Sequence, residues 1–290
     1  MRRTVLVAVD EQPVSRKAVR WAAGHAARHR LHLRLVYTHP WPVLDGVVPL
    51  DAVRDQVERA ARSVLADTAA VARAVAPGLA VDAEADLRHG AEEALLRRAE
   101  GAELVVLGSA ARSRLASLLT GDPATGTVRH APCPVVVVHP ERAGAPDGPV
   151  VVGVDGSALS ERAVEHAVAE AVAADAPLLA VHAWLLPQVG GPELAAYGAV
   201  DETEHRRAHD VHAALLAESL AGWADKHPDL RVEQRVLEDH TGHALVAASR
   251  GARLVVVGSR GRGGFRGLLL GSVSSAVVHH ADCPVMVCHR

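Results

Sequence analysis

Residues 252–278 read ARLVVVGSRGRGGFRGLLLGSVSSAVV, which is a short apolar run, a glycine-rich turn and an amphipathic segment. The run Leu254–Val257 is apolar on both faces, as the inner strands of a helix-covered parallel sheet are. A strand joined to a helix in this way is the unit from which parallel α/β sheets are built. The stretch therefore predicts an α/β fold with a glycine-rich turn at the carboxyl end of a strand.

The same pattern occurs earlier in the chain. Residues 102–109 (AELVVLGS) return as ARLVVVGS after 150 positions, with six of eight residues identical. Residues 128–139 return at the same offset with eight of twelve identical, and VLVAVD at 5–10 returns as VVVGVD at 150–155. Matches of this length and order indicate that a whole domain is duplicated.

The duplication sets the expected domain boundaries. We expect one domain at 1–140 and a second at 150–290, which are ordinary sizes for single domains. The segment between them, 141–149, has the Pro, Gly and charged residues that are typical of a linker.

Each copy alternates short strand patterns with longer helical patterns. The predicted strands are 4–9, 31–37, 79–87, 104–107 and 135–138 in the first copy and 149–154, 178–182, 230–237, 254–257 and 285–288 in the second. The predicted helices include 14–29, 51–75, 91–100, 158–174, 201–226 and 242–250. The third strand of each copy alternates with charge, which predicts more exposure. This order of elements gives right-handed crossovers and a doubly wound sheet, which binds ligands at the carboxyl ends of its strands.

The composition narrows the range of functions. The 31 Lys and Arg residues stand against 34 Asp and Glu, and aromatic residues make up 2% of the chain. Because nucleic-acid binding needs basic surfaces or aromatic stacking, we expect no nucleic-acid partner. No run of 18 apolar residues occurs, so we expect no membrane partner. Met1-Arg2-Arg3 runs directly into a short strand-like segment instead of a signal-type apolar region, so we expect a cytoplasmic location. Three cysteines without a CxxC spacing favour reduced, buried thiols.

The glycine-rich turn predicts a phosphate-binding loop. Its six glycines let backbone amides turn towards a ligand just ahead of a helix N-terminus. Arg260, Arg262 and Arg266 supply positive charge nearby. The hydroxyls of Ser272 and Ser274 could donate further hydrogen bonds. The spacing fits neither a Walker A loop nor GxGxxG, and composition alone leaves a flexible connector as the alternative.

The second copy resembles the universal stress protein family. Its spacing Gly258-x2-Gly261-x9-Gly271-Ser272 is similar to the family's nucleotide-binding signature, G-x2-G-x9-G-[S/T]. An Asp closes its first strand, a His ends its second, and a CPV run opens its last. The resemblance covers nearly all of both copies. It implies two tandem Rossmann-like domains of the adenine nucleotide alpha hydrolase-like kind, each a five-stranded parallel sheet flanked by helices.

The resemblance also implies a role for individual positions. Asp155 would contact the ribose or the adenine edge, and the backbone of Ala183 would meet adenine. The residues that would hold the phosphates are Gly258, Gly261, Gly271 and Ser272, with Ser259 and Ser274 as further contributors. For Asp155, an N-cap of the next helix is the alternative, and the two roles are compatible. The implied cofactor is ATP, which Mg²⁺ could accompany.

The first copy departs from this pattern. The positions that it keeps are Asp10, Gly108 and Gly121. Ala111 stands in place of Gly261 and adds a Cβ. Asp122 puts a negative charge where the phosphates would lie, and Pro123 removes a backbone donor. We therefore expect the second site to bind nucleotide and the first to be empty or much weaker.

Three functions stay open at this point. The resemblance favours an ATP-binding regulator of the stress response. The alternatives are a slow ATPase that uses hydrolysis as a timer, and a partner-binding module with vestigial pockets. No nucleophile–base arrangement appears, so any turnover would be weak. His205 and His209 have a spacing that could bind metal, but they and His212 fit a solvated helix face better.

The last strand of each copy predicts self-association. Val135–Val138 and Val285–Cys288 are apolar throughout, and the resemblance places them at sheet edges. Exposed edges of this kind are usually covered. We expect the two copies to cover each other as an intramolecular pseudo-dimer, with a homodimer and an unidentified protein partner left open.

Overall fold

The computed structural model describes residues 3–39, 50–109, 123–140, 142, 144–185, 202–262 and 270–289. The chain forms two compact units. The first contains Met1–Ala143 together with Cys283–Arg290, and the second contains Gly144–Asp282. These units coincide with the two sequence copies except at the last strand. In the described ranges, no helix is both long enough and apolar enough to cross a membrane.

The first unit is a mostly parallel sheet with helices. Its elements are β1 (Thr4–Val9), α1 (Pro13–His29), β2 (His32–Thr38), α2 (Leu50–Val75), β3 (Val81–Asp86), α3 (Ala91–Ala99), β4 (Leu104–Gly108), α4 (Pro123–His130), β5 (Val135–Val138) and β10 (Val285–Cys288). The strand order is β3-β2-β1-β4-β5-β10. The first five strands are parallel, and β10 pairs with β5 in the antiparallel sense.

The second unit repeats this plan. Its elements are β6 (Val150–Gly153), α5 (Ala158–Ala173), β7 (Leu178–Trp184), α6 (Glu202–Leu220), α7 (Trp223–Lys226), β8 (Val232–Glu238), α8 (Thr241–Ala248), β9 (Leu254–Gly258) and α9 (Ser272–His280). The strand order is β9-β6-β7-β8, and all three strand pairs are parallel. The prediction of a doubly wound, Rossmann-like α/β fold is confirmed.

Burial follows the position of each strand in its sheet. β7 is buried at every residue, and β4 and β9 are buried at all but the last. The edge strands β3 and β8 are largely exposed, as their alternation with charge predicts. β5 and β10 are apolar and buried throughout, so their antiparallel pairing hides two strands that water would otherwise reach.

The predicted helix at 201–226 is wrong in one respect. The structure ends α6 at Leu220 and begins the short α7 at Trp223. Gly222 lies between them with φ 77° and ψ −9°, which is a left-handed conformation. Helical spacing continues across this point, but the backbone turns because glycine adopts that conformation without the cost of a Cβ.

We predict that Gly222→Ala lowers the free energy of unfolding by about 1 kcal/mol, because an L side chain is strained at positive φ. Chemical denaturation followed by circular dichroism measures the effect. Gly78→Ala is the matched control, because a Cβ at Gly78 would contact nothing within 4 Å. Equal stability of the two variants would contradict the prediction.

Candidate functional site

A cavity of about 510 Å³ opens at the carboxyl ends of β6 and β9 in the second unit. Leu245 and Val257 form apolar parts of its lining, and Thr241 and Ser160 add hydroxyl groups. Arg260 contributes positive charge. Doubly wound sheets bind ligands at this end of their strands, and the volume is that of an ordinary small-molecule site.

The N-terminus of α9 opens onto this cavity. Gly271 is the N-cap residue, with extended backbone angles and no side-chain cap. The first-turn residues Ser272, Val273 and Ser274 line the cavity, and amides in a first turn have no acceptor within the helix. By contrast, α5 is capped by the Oγ of Ser157. The uncapped α9 therefore offers amides and a positive dipole end to an anion.

The loop that follows β9 is tied to the start of α9. The Gly271 amide donates to the Ser259 carbonyl at 2.8 Å, and the Ser274 hydroxyl lies 3.0 Å from the same carbonyl. Ser259 is buried and is not among the lining residues, while Ser274 lines the cavity with its hydroxyl already used. In this arrangement both serines position the loop.

Asp155 joins two backbone segments beside the cavity. Its Oδ1 accepts from the Ser157 amide at 3.0 Å, and its Oδ2 accepts from the Arg262 amide at 3.0 Å. The N-cap of α5 is Ser157, whose Oγ accepts from the Ser160 amide. Asp155 is therefore not the N-cap that the sequence left as its alternative role. Each carboxylate oxygen keeps acceptor capacity for a ligand hydroxyl.

Gly261 is a glycine because the Asp155 carboxylate lies against it. A Cβ built on Gly261 would lie 2.4 Å from Asp155 Oδ2, far inside van der Waals contact. The close approach lets that oxygen reach the amide of the next residue, Arg262. Gly258, Gly261 and Gly271 all line the cavity, so the structure brings the three spaced glycines together.

Ala183 is the next-to-last residue of β7, and its contact with adenine stays a prediction. Its backbone registers with Leu237 of β8, and its carbonyl is 3.4 Å from the Thr241 hydroxyl. It is not among the residues that line the cavity. Thr241 and Leu245 do line the cavity, and sequence reasoning missed both. Thr241 carries the signal that could have found it, because it follows a strand at the start of a helix.

The turn after the first strand of the first unit resembles the turn that contains Asp155 in the second unit. Asp10 Oδ1 accepts from the Gln12 amide at 2.9 Å and from the Ser15 hydroxyl. The Asp10 amide in turn donates to Ser15 Oγ at 3.1 Å, as the Asp155 amide does to Ser160 Oγ at 3.2 Å. Gly108 ends β4 as Gly258 ends β9.

The distinctive part of the first copy lies outside the described residues. Ala111, Gly121 and Asp122 fall in that segment, and Pro123 is the first residue of α4. The predicted difference between the two phosphate loops therefore stays a prediction.

The first unit carries a different polar group at the end of β3. Asp86 is buried and accepts from the Arg88 amide, the His89 amide and the Arg98 guanidinium at 2.8 to 3.1 Å. Burial opposes its ionisation, but hydrogen bonds from His89, Arg88 and Arg98 outweigh burial and hold its pKa well below the usual range. Sequence reasoning missed this cluster. The Asp86 carboxylate is already hydrogen-bonded to these donors. Because Arg98 belongs to α3, the cluster holds α3 against the end of β3.

His182 of β7 and His212 of α6 form a pair next to the cavity, where His182 contacts the carbonyl of the lining residue Val154. His212 of α6 is half-buried, contrary to its predicted place on a solvated face. Its Nδ1 is 2.8 Å from His182 Nε2, and its ring stacks on Trp184 with centroids 4.7 Å apart. His205 pairs instead with Glu238 at 3.5 Å. The histidine spacing on α6 thus reflects docking of the helix on β7 and β8.

These features define an α/β protein with a strand-end cavity that is lined by glycines, arginines, one carboxylate and the uncapped start of a helix. A model of the Universal stress protein family matches residues 1–139 and 148–289. The chain therefore belongs to the universal stress protein family, and it contains two domains of that family in tandem.

Individual relatives match over the whole chain. A universal stress protein of Mycolicibacterium smegmatis is 35% identical over 291 residues, covering 98% of this chain and 96% of the relative. One from Mycobacterium tuberculosis H37Rv is 36% identical over 301 residues, covering 99% and 97%. The crystal structure of a universal stress protein from Archaeoglobus fulgidus has a TM-score of 0.70 at 20% identity, covering 99% and 96%. That structure shares the fold.

We predict that Gly261→Ala lowers the free energy of unfolding by about 2 kcal/mol, the scale of a lost hydrogen bond to a charged group. The added Cβ displaces the Asp155 carboxylate and breaks its bond to the Arg262 amide. A double-mutant cycle with Asp155→Ala, read by chemical denaturation, isolates the contact. In the Asp155→Ala background, Gly261→Ala should lower the free energy of unfolding clearly less than it does in the wild type. Equal costs in both backgrounds would show that the two residues do not interact.

Proposed function

We propose that this chain is an ATP-binding universal stress protein, in which nucleotide bound to the second unit regulates a partner protein. One observation carries the proposal: three spaced glycines, the Asp155 carboxylate and the uncapped start of α9 line one cavity. A phosphate needs amides and positive charge, and a ribose needs a hydrogen-bond acceptor. The cavity offers both kinds of group side by side.

The lining divides into parts that suit different portions of a nucleotide. The amides around Gly258, Gly261 and Ser272 would hold phosphates, with Arg260 adding charge. Asp155 would accept from ribose hydroxyls. The role of Ala183 against adenine stays a proposal from the family resemblance alone.

Magnesium would depend on the nucleotide for most of its ligands. Among the described lining residues, Asp155 is the sole carboxylate, and both of its oxygens already accept backbone amides. Protein sites that hold Mg²⁺ on a nucleotide use one or two carboxylates together with phosphate oxygens. We propose that any Mg²⁺ enters with ATP and is held chiefly by its phosphates.

A regulatory role fits this lining better than hydrolysis does. Among the described lining residues the one candidate base is Asp155, and each of its oxygens already accepts a backbone amide, which disfavours its use in activating a water molecule. Nucleotide binding would instead fix the loop at 258–262 against α9 and shift the population of surfaces that a partner contacts. A cytoplasmic location stays a prediction from composition. The slow ATPase and the module with vestigial pockets remain the competing functions.

We propose that the two units differ in occupancy, and stoichiometry tests this difference. Mass spectrometry of nucleotide released from the purified full chain should find about one equivalent of adenine nucleotide per chain. Two equivalents would contradict a weak first site. No nucleotide, together with no thermal shift on adding ATP, would favour vestigial pockets. Steady phosphate release that Gly261→Ala abolishes would favour the ATPase.

We predict that Ser272→Asp lowers ATP affinity about tenfold or more, because it places a negative charge at the first residue of α9. The change copies the aspartate at the matching position of the first sequence copy. Isothermal titration calorimetry measures the loss. Ser272→Ala is the matched control, since it removes the hydroxyl without adding charge and should cost much less. An equal loss in both variants would contradict the electrostatic account.

A further inference from the structure

A pair of histidines in the second unit has a defined arrangement of protons. His182 Nδ1 lies 2.7 Å from the Val154 carbonyl, which can only accept, so this nitrogen carries a hydrogen. In neutral His182, Nε2 is therefore an acceptor, and His212 Nδ1 donates to it at 2.8 Å. The remaining nitrogen, His212 Nε2, can take up a proton while both hydrogen bonds stay in place.

The surroundings of His212 oppose its protonation. Burial lowers the pKa of His212, and it is lowered further by repulsion from His182 on β7 and His209 on α6, which act when they are themselves protonated, and from the permanent charge of Arg262 in the loop after β9. Its helix packs on β7, β8 and α5. The charged groups on β8 are Glu238, which pairs with His205, and Glu233 and Arg235, which pair with each other. On α5 the charged groups of the first two turns are Glu161, Arg162 and Glu165, and all three are exposed.

Arg262 connects this pair to the cavity. Its amide donates to Asp155 Oδ2, and the residue lines the cavity. Its Nη2 lies 2.9 Å from the position that a Cβ on Gly156 would take, and Leu215 Cδ1 lies 3.3 Å from the same position. Leu215 follows His212 by three residues, so both lie on one face of α6. The structure records no ion pair between the Arg262 guanidinium and any described carboxylate.

We propose that binding of an anionic nucleotide in this cavity takes up a proton at His212, and that Arg262 transmits the coupling. The proposal rests on the nucleotide binding proposed above. Phosphate charge near Arg262 offsets the repulsion that the guanidinium exerts on a protonated His212. The pKa of His212 is then higher in the complex than in the free protein. By reciprocity, protonation of His212 strengthens nucleotide binding.

The sign of the pH dependence follows from this shift. Protons are taken up only in the pH range between the free and bound pKa values of His212, at and below the usual range of a histidine. Affinity rises as pH falls through this range, and well above it His212 has no effect. The phosphates themselves lose protons on meeting cationic groups, which is an exchange of the opposite sign. A comparison with a variant that lacks His212 separates the two contributions.

Calorimetry of the full chain with ATP, in two buffers of different ionisation heat near pH 6.5, measures the proton exchange. Wild type should take up about 0.3 proton more than His212→Asn, and its affinity should rise about twofold per unit fall in pH relative to that variant. His227→Asn is the matched control, because His227 is also half-buried and stacks on a tryptophan, Trp223, with centroids 6.1 Å apart. It should behave as wild type.

Substitutions of Arg262 test the route of the coupling. Arg262→Lys should keep the extra proton uptake, and Arg262→Gln should abolish it even if both weaken ATP binding. Equal proton exchange in wild type and His212→Asn, with ATP still bound, would overturn this proposal and leave nucleotide binding intact. If wild type binds no ATP at any pH, both proposals fail.

A spectroscopic measurement covers the case in which His212→Asn does not fold. NMR titration of the His212 ring signals in wild type should show a higher pKa with ATP than without it. An unchanged pKa in the complex would overturn the proposal.

Discussion

The site of the second unit depends on one contact, in which the carboxylate of Asp155 reaches across the α-carbon of Gly261 to the next amide. The contact joins the turn after β6 to the loop after β9, which neighbouring strands bring to the same edge of the sheet. This contact holds the loop at Arg262. A second contact holds it at Ser259, whose carbonyl accepts hydrogen bonds from residues at the start of α9. Asp155, Gly261, Gly271 and Ser274, which take part in these contacts, all line the cavity.

The two units have the same turn after their first strand but differ at the end of their third strand. After the first strand of each, two hydrogen bonds are shared: the aspartate amide donates to a serine hydroxyl five residues on, and the aspartate Oδ1 accepts from the amide two residues on. The residues are Asp10 and Ser15 in the first unit and Asp155 and Ser160 in the second. At the third strand the units diverge, since the first places the buried carboxylate of Asp86 against Arg98. The two copies have thus kept the hydrogen bonds that shape the turn after the first strand, and they differ in the polar contacts at the end of the third strand.

Sequence patterns predicted most of the fold because apolar periodicity and repeat matches both act over many residues. The β-strands lie within about two residues of their predicted bounds, and the glycine-rich loop follows the carboxyl end of β9, as its sequence predicts. What failed depends on one residue or on distant contacts. A left-handed backbone at Gly222 divides a helical pattern, and β7 extends past His182 to Trp184 because it pairs with β8.

Roles within the site were harder to predict than its location. Spacing places Gly261 in the loop, but only coordinates show that a neighbouring carboxylate requires the absence of a Cβ there. Ser259 lies between the cavity-lining residues Gly258 and Arg260 in sequence, but it is itself buried and does not line the cavity. The sequence predicts that His212 is solvated like the other histidines of α6, whereas in the structure its ring stacks on Trp184 of β7. One such contact produces no periodic pattern in the sequence, so it could not be predicted.

The pairing of β10 with β5 gives the molecule an unusual order of assembly. A ribosome makes the first unit's parallel strands early, but the strand that covers β5 follows the whole second unit in the chain. Until β10 has been synthesised, the apolar edge of β5 is open to other chains. The nascent protein thus carries an unpaired strand while residues 139–284 are made, and β10 is the strand that completes the first unit.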